Sequence, residues 1–122
     1  MTVKEAIDHF DAIMNQPYER DLLIQWLSDL DGQAIREIFC YYDGSPAPDD
    51  WQPYIDSYDL NAVLLIPAPY EGVYMDYLRM KCDYWNKENS YTNTVKAFNN
   101  SYATFCDFWR RNHRRKQTKL KL

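Results

Sequence analysis

The sequence predicts an all-α domain, and three observations support that prediction. Apolar residues recur at spacings of three and four along most of the chain, which is the period of an amphipathic helix. The chain contains only 3 glycines and 6 prolines, which argues against a turn-dense β architecture. The longest apolar run, residues 62–66, is short and stops at Pro67. A length of 122 residues suits one domain rather than two.

The first two helices are predicted over residues 3–14 and 18–41. Thr2 and Glu5 have the spacing of a capping box, in which each side chain accepts a hydrogen bond from the other residue's backbone N–H. The apolar stripe of the second helix keeps its phase on both sides of Gly32, which favours one long helix. A break at Gly32 is the alternative, because glycine costs a helix interior roughly 1 kcal/mol.

Residues 43–61 are predicted to form one irregular, acidic loop. Gly44 and three prolines oppose a long helix there, and five aspartates supply the charge. Long loops in small domains are usually functional or disordered. The loop nevertheless contains Trp51, Tyr54 and Tyr58. Two interpretations are open for these aromatic residues: they fold back on the domain's own core, or they order against a neighbouring subunit.

The third helix is predicted over residues 69–87, with a proline at its first position, and the fourth follows the polar turn at 86–90. Residues 63–66 precede them as a short strand or a buried extended segment. Because the connecting turn is short, the two helices are expected to form an antiparallel hairpin. The expected seam of this hairpin consists of Tyr70, Tyr77, Tyr84, Tyr91, Phe98, Tyr102, Phe105 and Trp109.

Charge is divided unevenly along the chain, whose net charge is −4 from 14 basic and 18 acidic residues. All 18 acids and seven of the bases lie in residues 1–109, which we interpret as the single helical domain. The other seven bases lie in residues 110–122, a tail without acids. They are Arg110, Arg111, Arg114, Arg115, Lys116, Lys119 and Lys121, and the four arginines are expected to continue the last helix.

An acidic body with a basic tail makes identical copies attract head to tail, or directs the tail towards nucleic acid or an acidic partner. A solvated, frayed terminus is the alternative interpretation. The aromatic content of 16%, with 11 tyrosines and 4 tryptophans, suits surfaces that are buried in assemblies. Composition therefore favours a protein that binds other proteins.

The sequence contains no catalytic, metal-binding or cofactor-binding pattern. Neither His9 nor His113 has a partner at the offset of a metal site such as HExxH. The three glycines are too few for a phosphate-cradling loop, and the three cysteines contain no CxxC pair. Neither a signal peptide nor a membrane span is indicated, so we expect a cytosolic chain with free thiols.

Three blocks of the sequence resemble a known family. They are Trp26–Gln33 (WLSDLDGQ), Ile66–Tyr74 (IPAPYEGVY), and Tyr91 with Phe98–Phe105 (FNNSYATF) and Trp109–His113 (WRRNH). Together the blocks are similar to small proteins encoded among the head and neck genes of long-tailed bacteriophages and of prophages of Gram-positive bacteria. These are the head–tail connector adaptors, also called head-completion proteins. The resemblance is spread over residues 20–113.

The resemblance implies a structural virion protein of the neck, assembled in the bacterial host cytoplasm, with no enzymatic activity. Family adaptors form a ring, generally dodecameric, under the portal. The ring extends the DNA channel and provides the docking surface for the stopper or tail-completion protein. Because family adaptors often attach through a C-terminal segment, the seven tail bases are candidates for contact with the portal or, non-specifically, with packaged DNA.

Two further expectations complete the functional hypothesis. Trp51, Tyr54 and Tyr58 are the candidates for a contact with a sister subunit or with the tail. The alternative function is a small nucleic-acid-associated phage regulator that binds DNA through the basic C-terminus. Such a protein grips phosphates without reading sequence, because no helix-turn-helix, zinc-finger or basic-zipper pattern accompanies the tail.

Overall fold

The fold is an all-α bundle, as predicted, in a computed structural model that describes residues 1–14, 18–55 and 59–116. Its helices are α1 (Val3–Ile13), α2 (Arg20–Glu37), α3 (Gly72–Trp85) and α4 (Tyr91–Asn112), with a short 3₁₀ helix (Phe39–Tyr41) after α2. Extended pairing within the described ranges is limited to two isolated antiparallel bridges.

Helices α3 and α4 form the predicted antiparallel hairpin. Tyr70, just before α3, contacts Phe108 near the end of α4, with ring centroids 4.7 Å apart. Tyr77 contacts Phe98 at 5.0 Å, further along α3 and further back along α4. The seam is buried through Phe98, Tyr102, Phe105 and Trp109, whereas Tyr84 is 64% exposed at the tip of the hairpin. The aromatic core therefore ends before the connecting turn.

Helices α1 and α2 pack on this hairpin. The capping box of α1 is present: the Thr2 hydroxyl accepts from the Glu5 N–H at 3.1 Å, and Glu5 accepts from the Thr2 N–H at 3.3 Å. Helix α2 passes through Gly32 without a break, as favoured, but ends at Glu37 rather than at residue 41. The tighter 3₁₀ turn that follows lets the adjacent Ile38 and Phe39 both be fully buried.

The predicted start of α3 is wrong by three residues. Residues 67–71 form hydrogen-bonded turns instead, with the Tyr70 N–H donating to the Pro67 carbonyl at 2.9 Å. At the other end α3 stops at Trp85, and Lys87 adopts a left-handed φ of 55°. Residues 63–66 form no strand. Val63 bridges Thr2 but is 67% exposed, and the buried alternative holds for the next three side chains.

A buried carboxylate joins α2 to two other parts of the chain. Asp31 is fully buried, and its oxygens accept hydrogen bonds from the Tyr54 and Tyr74 hydroxyls. The Leu65 N–H donates to the same carboxylate at 3.1 Å. Tyr74 in turn accepts from the Ile66 N–H at 2.8 Å. The acidic loop, the extended segment and α3 are therefore all tied to the middle of α2.

The environment of Asp31 affects its protonation. Burial raises the pKa of Asp31 to about 6, and the hydrogen bonds from Tyr54, Tyr74 and Leu65 act in the opposite direction. Because this value exceeds the ordinary 3.8, the folded chain binds the proton more tightly than the unfolded chain does. The resulting stabilisation is present at acid pH and is lost as pH rises through about 4 to 6.

Replacing Asp31→Asn should remove this pH dependence. From pH 7 to pH 4.5 the wild type should gain about 2 kcal/mol of unfolding free energy relative to the variant, because only the wild type takes up a proton at this site. Urea unfolding at the two pH values measures the difference. Asp11→Asn, at an exposed position of α1, is the control. Parallel pH profiles for wild type and Asp31→Asn would contradict the assignment.

Candidate interaction surface at the end of helix α4

The chain turns back on itself after α4. The last helical residue is Asn112, and His113 is extended. The His113 ring stacks on Trp109 with centroids 3.6 Å apart and planes 11° from parallel, and its Nδ1 lies 3.1 Å from the Trp109 carbonyl oxygen. Trp109 itself contacts the buried Phe39 at 4.9 Å. The direction in which the chain leaves α4 is thereby fixed by the core.

Residues 113–116 then pair with the chain that follows the 3₁₀ helix, and we call them the C-terminal strap. Tyr42 and Arg115 form an antiparallel bridge. The Asp43 N–H donates to the Arg114 carbonyl and the Lys116 N–H donates to the Tyr41 carbonyl, both at 2.8 Å. The prediction that all four tail arginines continue the last helix is therefore wrong for Arg114 and Arg115, which lie in the strap.

Gly44 allows the strap to approach closely. Its φ of +80° lies in the left-handed region, which side chains other than glycine rarely adopt. A Cβ placed at this position would lie 3.0 Å from Cδ2 of His113. The absence of a side chain at Gly44 therefore leaves space for the His113 ring that stacks on Trp109.

Positive charge concentrates on this part of the molecule. Five exposed bases lie here: Arg110, Arg111, Arg114, Arg115 and Lys116. Arg110 pairs with Asp107 at 3.3 Å, and the guanidinium of Arg115 lies 6.0 Å from the centre of the Tyr41 ring. Arg111, Arg114 and Lys116 form no ion pair with any residue that the structure describes. Lys119 and Lys121 lie outside the described residues.

Two of the three loop aromatics lie against the chain's own core, which is the first of the two interpretations. Tyr54 donates its hydroxyl to Asp31, and its N–H donates to the Ser28 hydroxyl at 3.0 Å. Trp51 meets Tyr54 edge to face, with centroids 5.6 Å apart. Both side chains are half-buried. Tyr58, the third candidate for an interface contact, lies outside the described residues.

Sequence reasoning missed Asp31, although a signal for it was present. This aspartate lies four residues after Leu27 and three before Ala34, so it occupies the apolar stripe of α2. An acid on that stripe must be buried with partners or must distort the helix. The candidate partners were the tyrosines, whose hydroxyls donate without carrying a charge.

The surface at the end of α4 presents charged groups that are suited to binding. Within the described ranges, no group of three or more histidine, cysteine or acidic side chains is placed to hold a metal. Nor does any described helix have the length and apolar character needed to cross a membrane. The surface carries several cations on a hydrogen-bonded backbone, and such cations attract acidic protein surfaces or phosphate backbones.

Comparisons of the chain with protein-family models, with curated proteins and with solved structures found no match. At the end of α4, three cations without an ion pair among the described residues lie on or next to a strap that is held by backbone hydrogen bonds.

Replacing Gly44→Ala should loosen the strap. The left-handed conformation and the close contact with His113 should lower the unfolding free energy by about 1–2 kcal/mol. Hydrogen exchange measured by NMR should show faster exchange at the Asp43 and Lys116 amides. Gly72→Ala is a matched control, since a Cβ there meets nothing within 4 Å. Equal protection of these amides in both variants would show that Gly44 does not hold the strap.

Proposed function

We propose that this chain is a head–tail connector adaptor of a long-tailed bacteriophage or prophage. In this role it is a structural protein of the virion neck, assembled in the host cytoplasm, and not an enzyme. Copies form a ring beneath the portal, extend the DNA channel and provide a docking surface for the stopper or tail-completion protein. The observation that supports the proposal most directly is the fixed basic surface at the end of α4.

The charge distribution supports a ring of identical copies. Residues 1–109 contain 18 acids and seven bases, whereas the described part of the tail contains bases and no acid. A surface that attracts a different surface of the next copy forms a heterologous contact, and such contacts close into rings when the rotation between copies permits. The same basic surface can instead meet an acidic face of the portal. In both cases Arg111, Arg114 and Lys116, which form no ion pair among the described residues, gain acidic partners in the assembly.

The strap supports a role for this surface in recognition. Its backbone is already hydrogen-bonded to Tyr41 and Asp43, so Arg114 and Lys116 project from fixed positions. A preorganised segment loses less conformational entropy on binding than a freely moving one. Fixed cations also select a partner with a matching arrangement of acids, which suits an assembly that must join its parts in one order.

The positions of the resembling blocks also support the proposal. Asp31 belongs to the first block and Tyr74 to the second, and these two residues form one buried hydrogen bond. The third block supplies Phe98, Phe105 and Trp109 to the core, and His113 to the strap. The residues of the resemblance therefore form a continuous structural unit of this chain.

The first test is whether the chain forms rings. Purified protein, alone and mixed with the portal protein of the same phage or prophage genome, is examined by negative-stain microscopy and native mass spectrometry. We expect closed rings of identical copies, either free or on the portal. A chain that stays monomeric in both samples would contradict the adaptor assignment.

Neutralising the basic surface should weaken portal binding. The triple variant Arg111→Gln, Arg114→Gln, Lys116→Gln should bind the portal at least about tenfold more weakly, because it loses three cations that form no ion pair with any described residue. The control triple, Arg20→Gln, Arg79→Gln, Lys96→Gln, removes the same charge from exposed positions elsewhere. Co-sedimentation measures both. Equal losses would mean that overall charge rather than this surface controls binding.

A second candidate function uses the same cations. A DNA-associated phage regulator is favoured by the exposed arginines, which suit phosphate contacts. It predicts duplex binding whose affinity falls steeply with salt concentration and which the Arg111, Arg114, Lys116 triple variant reduces. If duplex binding is detected while portal binding and rings are absent, this function replaces the adaptor assignment.

A further inference from the structure

A polar cleft lies on a different part of the molecule, between α2, the acidic loop and α3. Its volume is about 330 Å³. Ser28, Gly32 and Arg36 line it from successive turns of α2, and Trp51 forms a wall from the loop. Lys81 closes it from α3. None of these residues belongs to the basic surface at the end of α4, so the cleft is a separate feature.

The cleft exists because the loop is tied down. Tyr54 bonds to Asp31, which holds the neighbouring Trp51 over the face of α2. A Cβ at Gly32 would lie 3.9 Å from the Trp51 ring and 3.3 Å from Nη1 of Arg36. The absence of a side chain at Gly32 therefore leaves space for both the tryptophan ring and the guanidinium along the same helix.

The charges that line the cleft are unbalanced. Arg36 and Lys81 form no ion pair with any residue in the described part of the chain. Lys81 instead lies 5.4 Å from the centre of the Tyr77 ring. Among the described residues, Asp29 is the one acid that lines the cleft. Burial and then the charge of Asp29 raise the pKa of Tyr77 to about 12. Two cations and one acid leave a single positive charge.

We propose that this cleft binds a carboxylate side chain presented by a partner protein, held between Arg36 and Lys81 with its neighbouring apolar atoms against Trp51. A singly charged carboxylate matches the net charge of the cleft, whereas a phosphate, with nearly two negative charges, also meets Asp29. Tryptophan and arginine are the residue types that concentrate binding energy in protein interfaces. The site is independent of the ring proposed above.

The proposal is tested by NMR titration of the ¹⁵N-labelled full chain. The probe is N-acetyl-glutamate N-methylamide, which models an acidic side chain within a polypeptide. We expect saturable shifts of the Trp51 indole N–H and the Arg36 Nε–H, with a Kd in the millimolar range, roughly −4 kcal/mol. The neutral N-acetyl-glutamine N-methylamide should bind at least about tenfold more weakly. Equal binding of the neutral probe, or no saturation by about 50 mM, would overturn the proposal.

A titration with inorganic phosphate tests whether the cleft prefers a phosphate group to a protein carboxylate. Phosphate that binds at these two groups as tightly as the glutamate probe would overturn the assignment to a protein carboxylate.

The double variant Arg36→Gln, Lys81→Gln should lose glutamate binding, and Lys81→Gln alone should weaken it if the double variant does not fold. Arg79→Gln, an exposed base on the same helix as Lys81, should bind as the wild type does. An equal loss in Arg79→Gln would show a non-specific charge effect and would overturn the site.

Discussion

The buried carboxylate of Asp31 is the interaction on which the rest of this structure depends. It joins α2 to the acidic loop, to the segment before α3 and to α3 itself through two tyrosine hydroxyls and one backbone N–H. A hydrogen bond to a buried charged group typically contributes about 1.5–3 kcal/mol, and its loss leaves that group without compensation. The exposed ion pairs Lys4–Asp8 and Arg110–Asp107 contribute far less, typically 1 kcal/mol or below. The architecture therefore depends more on one internal acid than on its surface charges.

Both proposed binding surfaces follow from this arrangement of the core. The bond between Asp31 and Tyr54 holds Trp51 over α2 and so creates the cleft that contains Arg36. The aromatic seam between α3 and α4 ends at Trp109, on which His113 stacks to begin the strap. Asp31 therefore determines the surroundings of Arg36, and Trp109 determines the position of the strap that carries Arg114 and Lys116. The molecule thus presents two sets of cations on one helical bundle.

The sequence predicted the helices because their period depends on local spacing, which is visible in the chain. It predicted the ends of the helices less well, since tertiary contacts decide them: burial of Phe39 requires the turn after Glu37. The C-terminal strap could not be predicted, because its bridge joins Tyr42 to Arg115, far apart in sequence. The role of Asp31 depends on Tyr54 and Tyr74, whose convergence is visible only in the fold.

We propose that the chain assembles as a ring and contacts its partner through the basic surface at the end of α4. Cryo-electron microscopy of the chain bound to the portal of the same genome tests it most directly. We expect a closed ring in which residues 110–116 of each copy face acidic side chains of the portal or of the adjacent copy. A map in which these residues face solvent, or in which the copies form no ring, would contradict it.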